Sequence, residues 1–278
     1  MRALLLLHPV AQLGTAFTVH ASTVLGIAAL AVLYEWRARR APVSGSPTAP
    51  QRAAFHAALL LLFLSLNGPV HDLSDTFLFS AHMIQHLVLE LLVPPLLLVG
   101  TPGWMLRPLL RPRAVRAVAE RVTRPAWCFA IFNLVLAGWH LPPAYNLALA
   151  HHPVHITQHL MFIAASVIMW WPLLGSLPEL PRPSYPVQLL YCFLMTIPMS
   201  IVSIYIVYAD RVLYPAYATA PRIFGISPLE DQRIGGLVMW IPGGLYFLLV
   251  MSVVFFRWSQ RGGTDDVVGA QALEPVGT

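Results

Sequence analysis

Charge is scarce in this chain. Of 278 residues only 10% are charged, 57% are hydrophobic, and mean hydropathy is +0.67. A water-soluble domain carries about 25% charged residues, so there is too little polar surface here to cover a soluble body. Two soluble domains, the expectation from length alone, are excluded. Lysine is absent, and all 17 basic residues are Arg. The formal charge of +5 and pI near 9.6 would suit nucleic-acid binding, but the arginines gather in short loops between apolar runs. That placement orients a membrane protein, so lipid is the expected partner and nucleic acid is not.

Cysteine is nearly absent too. Cys128 and Cys192 both fall in apolar runs and form no CxxC, which excludes a disulfide framework or a thiolate metal site. The opening Leu run is broken by His8 and Pro9 and lacks a small-residue cleavage site, so no cleaved signal peptide is expected. A Gly-rich phosphate loop, a Ser-His-Asp order and paired catalytic carboxylates are all missing. The loops are too short for a soluble catalytic domain, so the chain is not read as an enzyme.

What is present is a series of apolar runs, each near the ~20 residues that cross a bilayer. They cover about Phe17–Trp36, Ala53–Leu66 (extending to Val70), Ala81–Val99, Ala126–His140, Val154–Leu174, Pro186–Tyr208 and Ile234–Trp258. The expected fold is therefore an all-α membrane bundle of about seven transmembrane helices over residues 1–258, with 259–278 a disordered cytoplasmic tail. With the amino terminus outside and the carboxyl terminus cytoplasmic, only Arg2, Arg211, Arg222 and Arg233 lie outside, which satisfies the positive-inside rule. Pro94, Pro95, Pro198 and Pro242 mark breaks or kinks within spans.

In that orientation His56 lies near the cytoplasmic side, and the other ten of the 11 histidines fall at or near the outer face. His82 and His86 open the third span, and His155 and His159 open the fifth. A four-residue spacing puts both side chains of a pair on one helical face, so two such helices can offer four imidazoles, ligands that suit Cu, Zn, Fe or Ni. His86 and His159 lie about 6 Å deeper than their partners. His140 ends the fourth span and His20 sits in the first, at matching depth. Glu90 continues the His82–His86 stripe toward the midplane, where a charge costs at least about 2.5 kcal/mol. His8, His71, His151 and His152 are read as interface residues. Asp231 and Gln232 are read as a cap or a support for the site, Met83 and Met161 as span filler beside the pairs, and Trp170, Trp171 and Trp240 as packing. A membrane cytochrome holding haem, a diiron or zinc membrane enzyme, a copper or proton transporter and a metal-free scaffold remain open alternatives.

Several ordered pieces resemble one family. They are His82-Met-Ile-Gln-His86 with Pro94-Pro95 and Gly100-Thr-Pro102, then Trp139-His140-Leu-Pro142 with Tyr145, then His155 with His159. The last is Asp231-Gln232, Gly235-Gly236 and Met239-Trp240-Ile-Pro242-Gly243-Gly244. Together they resemble the CtaG-like assembly factors of caa3-type cytochrome c oxidase. The resemblance implies a seven-span protein of the bacterial inner membrane that helps mature the oxidase, with oxidase subunits as partners and copper handling as the usual explanation. On that reading His82, His86, His155 and His159 are the primary metal ligands, and Glu90, His140 and His20 stand beside them.

Overall fold

The computed structural model describes residues 17–41, 45–222 and 224–271, with side chains through residue 261. Among these the helices run in the order α1 (Ala21–Arg39), α2 (Ala49–Ser65), α3 (Gly68–Asp72), α4 (Phe79–Leu87), α5 (Val93–Gly100), α6 (Gly103–Leu106), α7 (Arg113–Val122), α8 (Pro125–His140), α9 (Pro142–Ala150), α10 (His152–Leu174), α11 (Tyr185–Val207), α12 (Pro215–Ala218) and α13 (Pro228–Gln271). No strand is found among the described residues. Proline opens many of these helices, because its fixed φ and missing N–H are tolerated in a first turn. Pro125, Pro142, Pro153 and Pro186 sit there in α8, α9, α10 and α11. Ahead of α2, Thr48 and Gln51 form a reciprocal capping box.

The segment from Gly68 to Gly100 departs from regular helix in two places. Leu73–Phe77 and Val88–Leu92 are π turns, one on each side of α4. Such widened turns are rare and concentrate at functional sites. Proline supplies the local reason for the second. Pro94 has no N–H to return to Glu90 O, and Val93 N bonds instead to Val88 O, five residues back. Glu90 O then accepts from Trp170 Nε1 of α10 at 2.9 Å.

Among the described residues, four helical stretches are long and apolar enough to cross a membrane: Phe79–Gly100, His152–Leu174, Tyr185–Val207 and Pro228–Arg261. They become five if α2 and Gly68–Phe77, bent by 53°, count as one span. The all-helical membrane architecture is thus as expected, while the seven-span count is coarser in the structure. α8, at 16 residues, reaches about 24 Å at 1.5 Å per residue, short of a ~30 Å hydrocarbon core. It stops because Leu141 is extended and Pro142 starts α9. α1 ends in Arg37 and Arg39. The last helix continues beyond the apolar run to Gln271, and residues 272–278 lie outside the described ones.

α10 runs through the middle, touching α5, α8 and α9, while α13 packs along α11 and α4. The main core joins Phe132, Leu136, Phe162, Trp170, Met195 and Phe247. A second joins Tyr34, Phe55, Leu59, Leu62, Leu89 and Val93 between α1, α2 and the Val88–Val93 region. Two glycines permit the closest approaches. A Cβ on Gly235 would stand 2.4 Å from the Phe79 ring, and one on Gly100 would stand 2.6 Å from the backbone nitrogen of Phe55. Leu237, Ile241, Leu245, Leu248 and Leu249 of α13 are exposed, an apolar face suited to lipid.

Candidate metal centre

The first residues of α4 have no partners within their own helix. They are met from the other end of the sequence. The Asp231 carboxylate accepts from Phe79 N at 2.7 Å, from Ser80 N at 3.1 Å and from the Ser80 hydroxyl. Asp231 is therefore a cap, but for α4 and not for its own helix. Gln232 beside it accepts from Leu213 N at 2.7 Å and donates to Ile206 O and Arg211 O. These contacts fix where His82 and His86 stand, with ring centroids 4.4 Å apart.

α10 brings the second pair to them. His155 Nε2 and His159 Nε2 are 2.8 Å apart, so one shares a proton with the other. One ligand atom each from His82, His155 and His159 lies within 4.8 Å of the other two, and all three side chains are buried. Neither nitrogen of His82 or of His86 makes a hydrogen bond with any described residue. Buried polar atoms normally find partners, so this convergence of imidazoles fits a metal ion, which neutral ring nitrogens would hold at about 2.0–2.1 Å. His86 lies beside the trio, its ring 5.5 Å from that of His159, with Nδ1 3.3 Å from Glu90 Oε1. His140 Nδ1 donates to Leu136 O at 2.7 Å, which leaves the Nε2 lone pair available and buried. Its ring is 6.2 Å from that of His86.

Asp75, on the π turn ahead of α4, connects three histidines. Its Oδ2 is 3.3 Å from both His155 Nδ1 and His71 Nε2, and its Oδ1 is 3.7 Å from His82 Nδ1. A carboxylate behind a ligating imidazole fixes the ring's tautomer and orientation. His71, expected at the interface, is buried instead, with Nδ1 facing Gln85 Nε2 at 3.2 Å. Gln85 also donates to Ser65 O, tying the cluster to the end of α2. The only sequence signal for the His71–Asp75 pair is its four-residue spacing. Asp75 and Glu90, the two carboxylates of the cluster, both lie in π turns.

The remaining histidines divide by position. His20 is half-buried with its ring 4.6 Å from that of His71 and 6.1 Å from that of His152. All three line a cavity of about 430 Å³ between α1, α2 and α10 that reaches His155 and His159. His151 is exposed, and His8 lies outside the described residues. His56 pairs with Glu35 at 2.9 Å, away from the cluster. Met83 is buried while Met161 points outward, and Trp170 is packed in the core.

A family model described as cytochrome c oxidase caa3 assembly factor matches residues 14–261. Among curated proteins, uncharacterised proteins of Mycobacterium bovis and Mycobacterium tuberculosis are each 21% identical to the chain over 200 residues, which is 66% of this chain. One from Mycobacterium leprae is 22% identical over 200 residues. The alignments span only 30% of the length of these relatives. No solved structure matches.

Proposed function

The chain belongs to the cytochrome c oxidase caa3 assembly factor family, and from that premise we propose that it takes up copper at the histidine cluster and passes it to the oxidase. Copper here is cargo. His82, His155 and His159 form the holding site, His86 and His140 are further imidazole stations, and Glu90 is an adjoining carboxylate. Asp75 orients His155 and places its charge beside His82. His20, on the wall of the cavity, lies on the way in or out. The protein sits in the bacterial plasma membrane and crosses it seven times, amino terminus outside. The cluster then faces the periplasmic half, and oxidase subunits are the membrane partners. The role is assembly, not catalysis.

The observation that carries this reading is the convergence of three buried imidazoles, His82 among them with no hydrogen bond to a described residue at either nitrogen. Imidazole suits copper among other metals. Proton competition for the same lone pairs offers a means of release. The test is elemental analysis of detergent-purified protein after copper loading, beside the variant with His82, His86, His155 and His159 all changed to Ala. About one copper per chain in the parent and none in the variant supports delivery, and transfer to copper-free oxidase follows as the next measurement. Equal copper in both, or none in either, favours a metal-free scaffold. A Soret band from the purified protein would instead favour haem.

A further inference from the structure

At the end of the bundle away from the histidines, a second cavity of about 510 Å³ lies between α5, α10, α11 and α13. It is about 20 Å along α10 from His159, taking 1.5 Å per residue to Leu173 and Leu174. Three arginines line it, Arg182, Arg257 and Arg261, and among the described residues no carboxylate does. Arg182 Nε donates to Gly175 O at 2.8 Å, which anchors the guanidinium and leaves its terminal nitrogens without a described partner. Arg257 is exposed and makes no hydrogen bond or ion pair with any described residue. Arg261 lies 5.5 Å over the Tyr185 ring. The first turn of α11 also faces this space through Ser184 and Tyr185, and the Ser184 hydroxyl caps no amide. A helix amino terminus adds partial positive charge of its own. Apart from Gln188, which donates to Pro183 O, the other walls are mainly apolar, and Val99, Leu249 and Val253 among them are exposed, so the groove opens sideways onto the apolar flank of the bundle.

We propose that this cavity binds an anionic phospholipid, its phosphate held by Arg182 and Arg257 and an acyl chain lying along the α5–α13 groove. The polarity is split as such a ligand requires, with guanidinium donors that match phosphate oxygens at one end and open apolar wall at the other. A soluble acidic peptide would meet that apolar wall with nothing to bury there. Basic pockets between helices at a membrane's edge recognise lipid headgroups in this way. The site is independent of the histidine cluster and of any copper reading.

Native mass spectrometry of the full chain in neutral detergent, given equimolar phosphatidylglycerol and phosphatidylcholine, tests it. The first lipid retained should be phosphatidylglycerol, by about tenfold over phosphatidylcholine. Arg182→Gln with Arg257→Gln should remove that preference, and Arg113→Gln, on the exposed α7, should leave it intact. Arg257→Gln alone should reduce it severalfold; because this side chain bonds to no described residue, it serves even if the double variant misfolds. Equal retention of the two lipids by the parent overturns the proposal, as does an equal loss in Arg113→Gln. Displacement of phosphatidylglycerol by excess inorganic phosphate also overturns it, since the site would then read a free anion and not a lipid.

Discussion

His82 is fully buried with neither ring nitrogen hydrogen-bonded to a described residue, and an unmet buried polar group costs about 1–3 kcal/mol. A purely structural residue would be selected for the opposite. The two roles separate in one variant. His82→Leu should leave the melting temperature of the metal-free protein unchanged or raised while cutting copper retention at least about tenfold; a fall in melting temperature with copper retained would sink the metal reading. Asp75→Asn keeps the shape and removes the charge behind His82 and His155, so copper affinity should drop about 10–100-fold in a chelator competition. An unchanged affinity would reduce Asp75 to a packing residue. The HxxxH pairs were legible because a four-residue spacing states its own geometry. Asp75 and His71 were not, because nothing in the apolar pattern signals that a short acidic stretch folds back over the pairs.

The helices themselves were readable from apolar runs and prolines, but not the turns that shape them. Pro94 signalled a break, yet the partner for the freed Glu90 carbonyl comes from Trp170, 80 residues on, and local sequence carries no trace of it. Trp170→Phe keeps the ring and removes the N–H, leaving that carbonyl buried and unmet. Thermal unfolding followed by circular dichroism should show a loss of about 1–3 kcal/mol. No loss would mean that water or a relaxed turn serves the carbonyl equally well. Asp231 was recognisable as a cap, but its target was not. Asp231→Ala should cost roughly 1–2 kcal/mol and also weaken copper binding, since α4 carries His82 and His86. Copper binding at parental strength would show that α4 holds its place without the cap.

At the scale of the whole molecule, hydropathy alone supported seven spans, whereas helix length admits four or five among the described residues. The difference lies in α1, with charges in its last turn, in the bend after α2 and in the shortness of α8. Topology is decided by labelling. In a background with the two buried cysteines, Cys128 and Cys192, replaced by Ala, a membrane-impermeant maleimide should modify Arg211→Cys in intact cells and spare Arg37→Cys. The reverse pattern would turn the histidine cluster toward the cytoplasm and remove the periplasmic route for copper.

The cap on α4 also sets a schedule. Asp231 is 152 residues beyond Phe79, so during synthesis at about 5–20 residues per second the ribosome needs roughly eight to thirty seconds to supply it. Once His159 has been made, the nascent chain carries every imidazole of the cluster while still lacking the clamp that aims two of them. On the copper proposal, maturation of the centre is thereby coupled to synthesis of the first turn of the last helix, and a chain that stops short of it should be a poor scavenger of metal. A chain ending at Val207 should accordingly insert but retain little copper, and full retention by that fragment would dissolve the coupling.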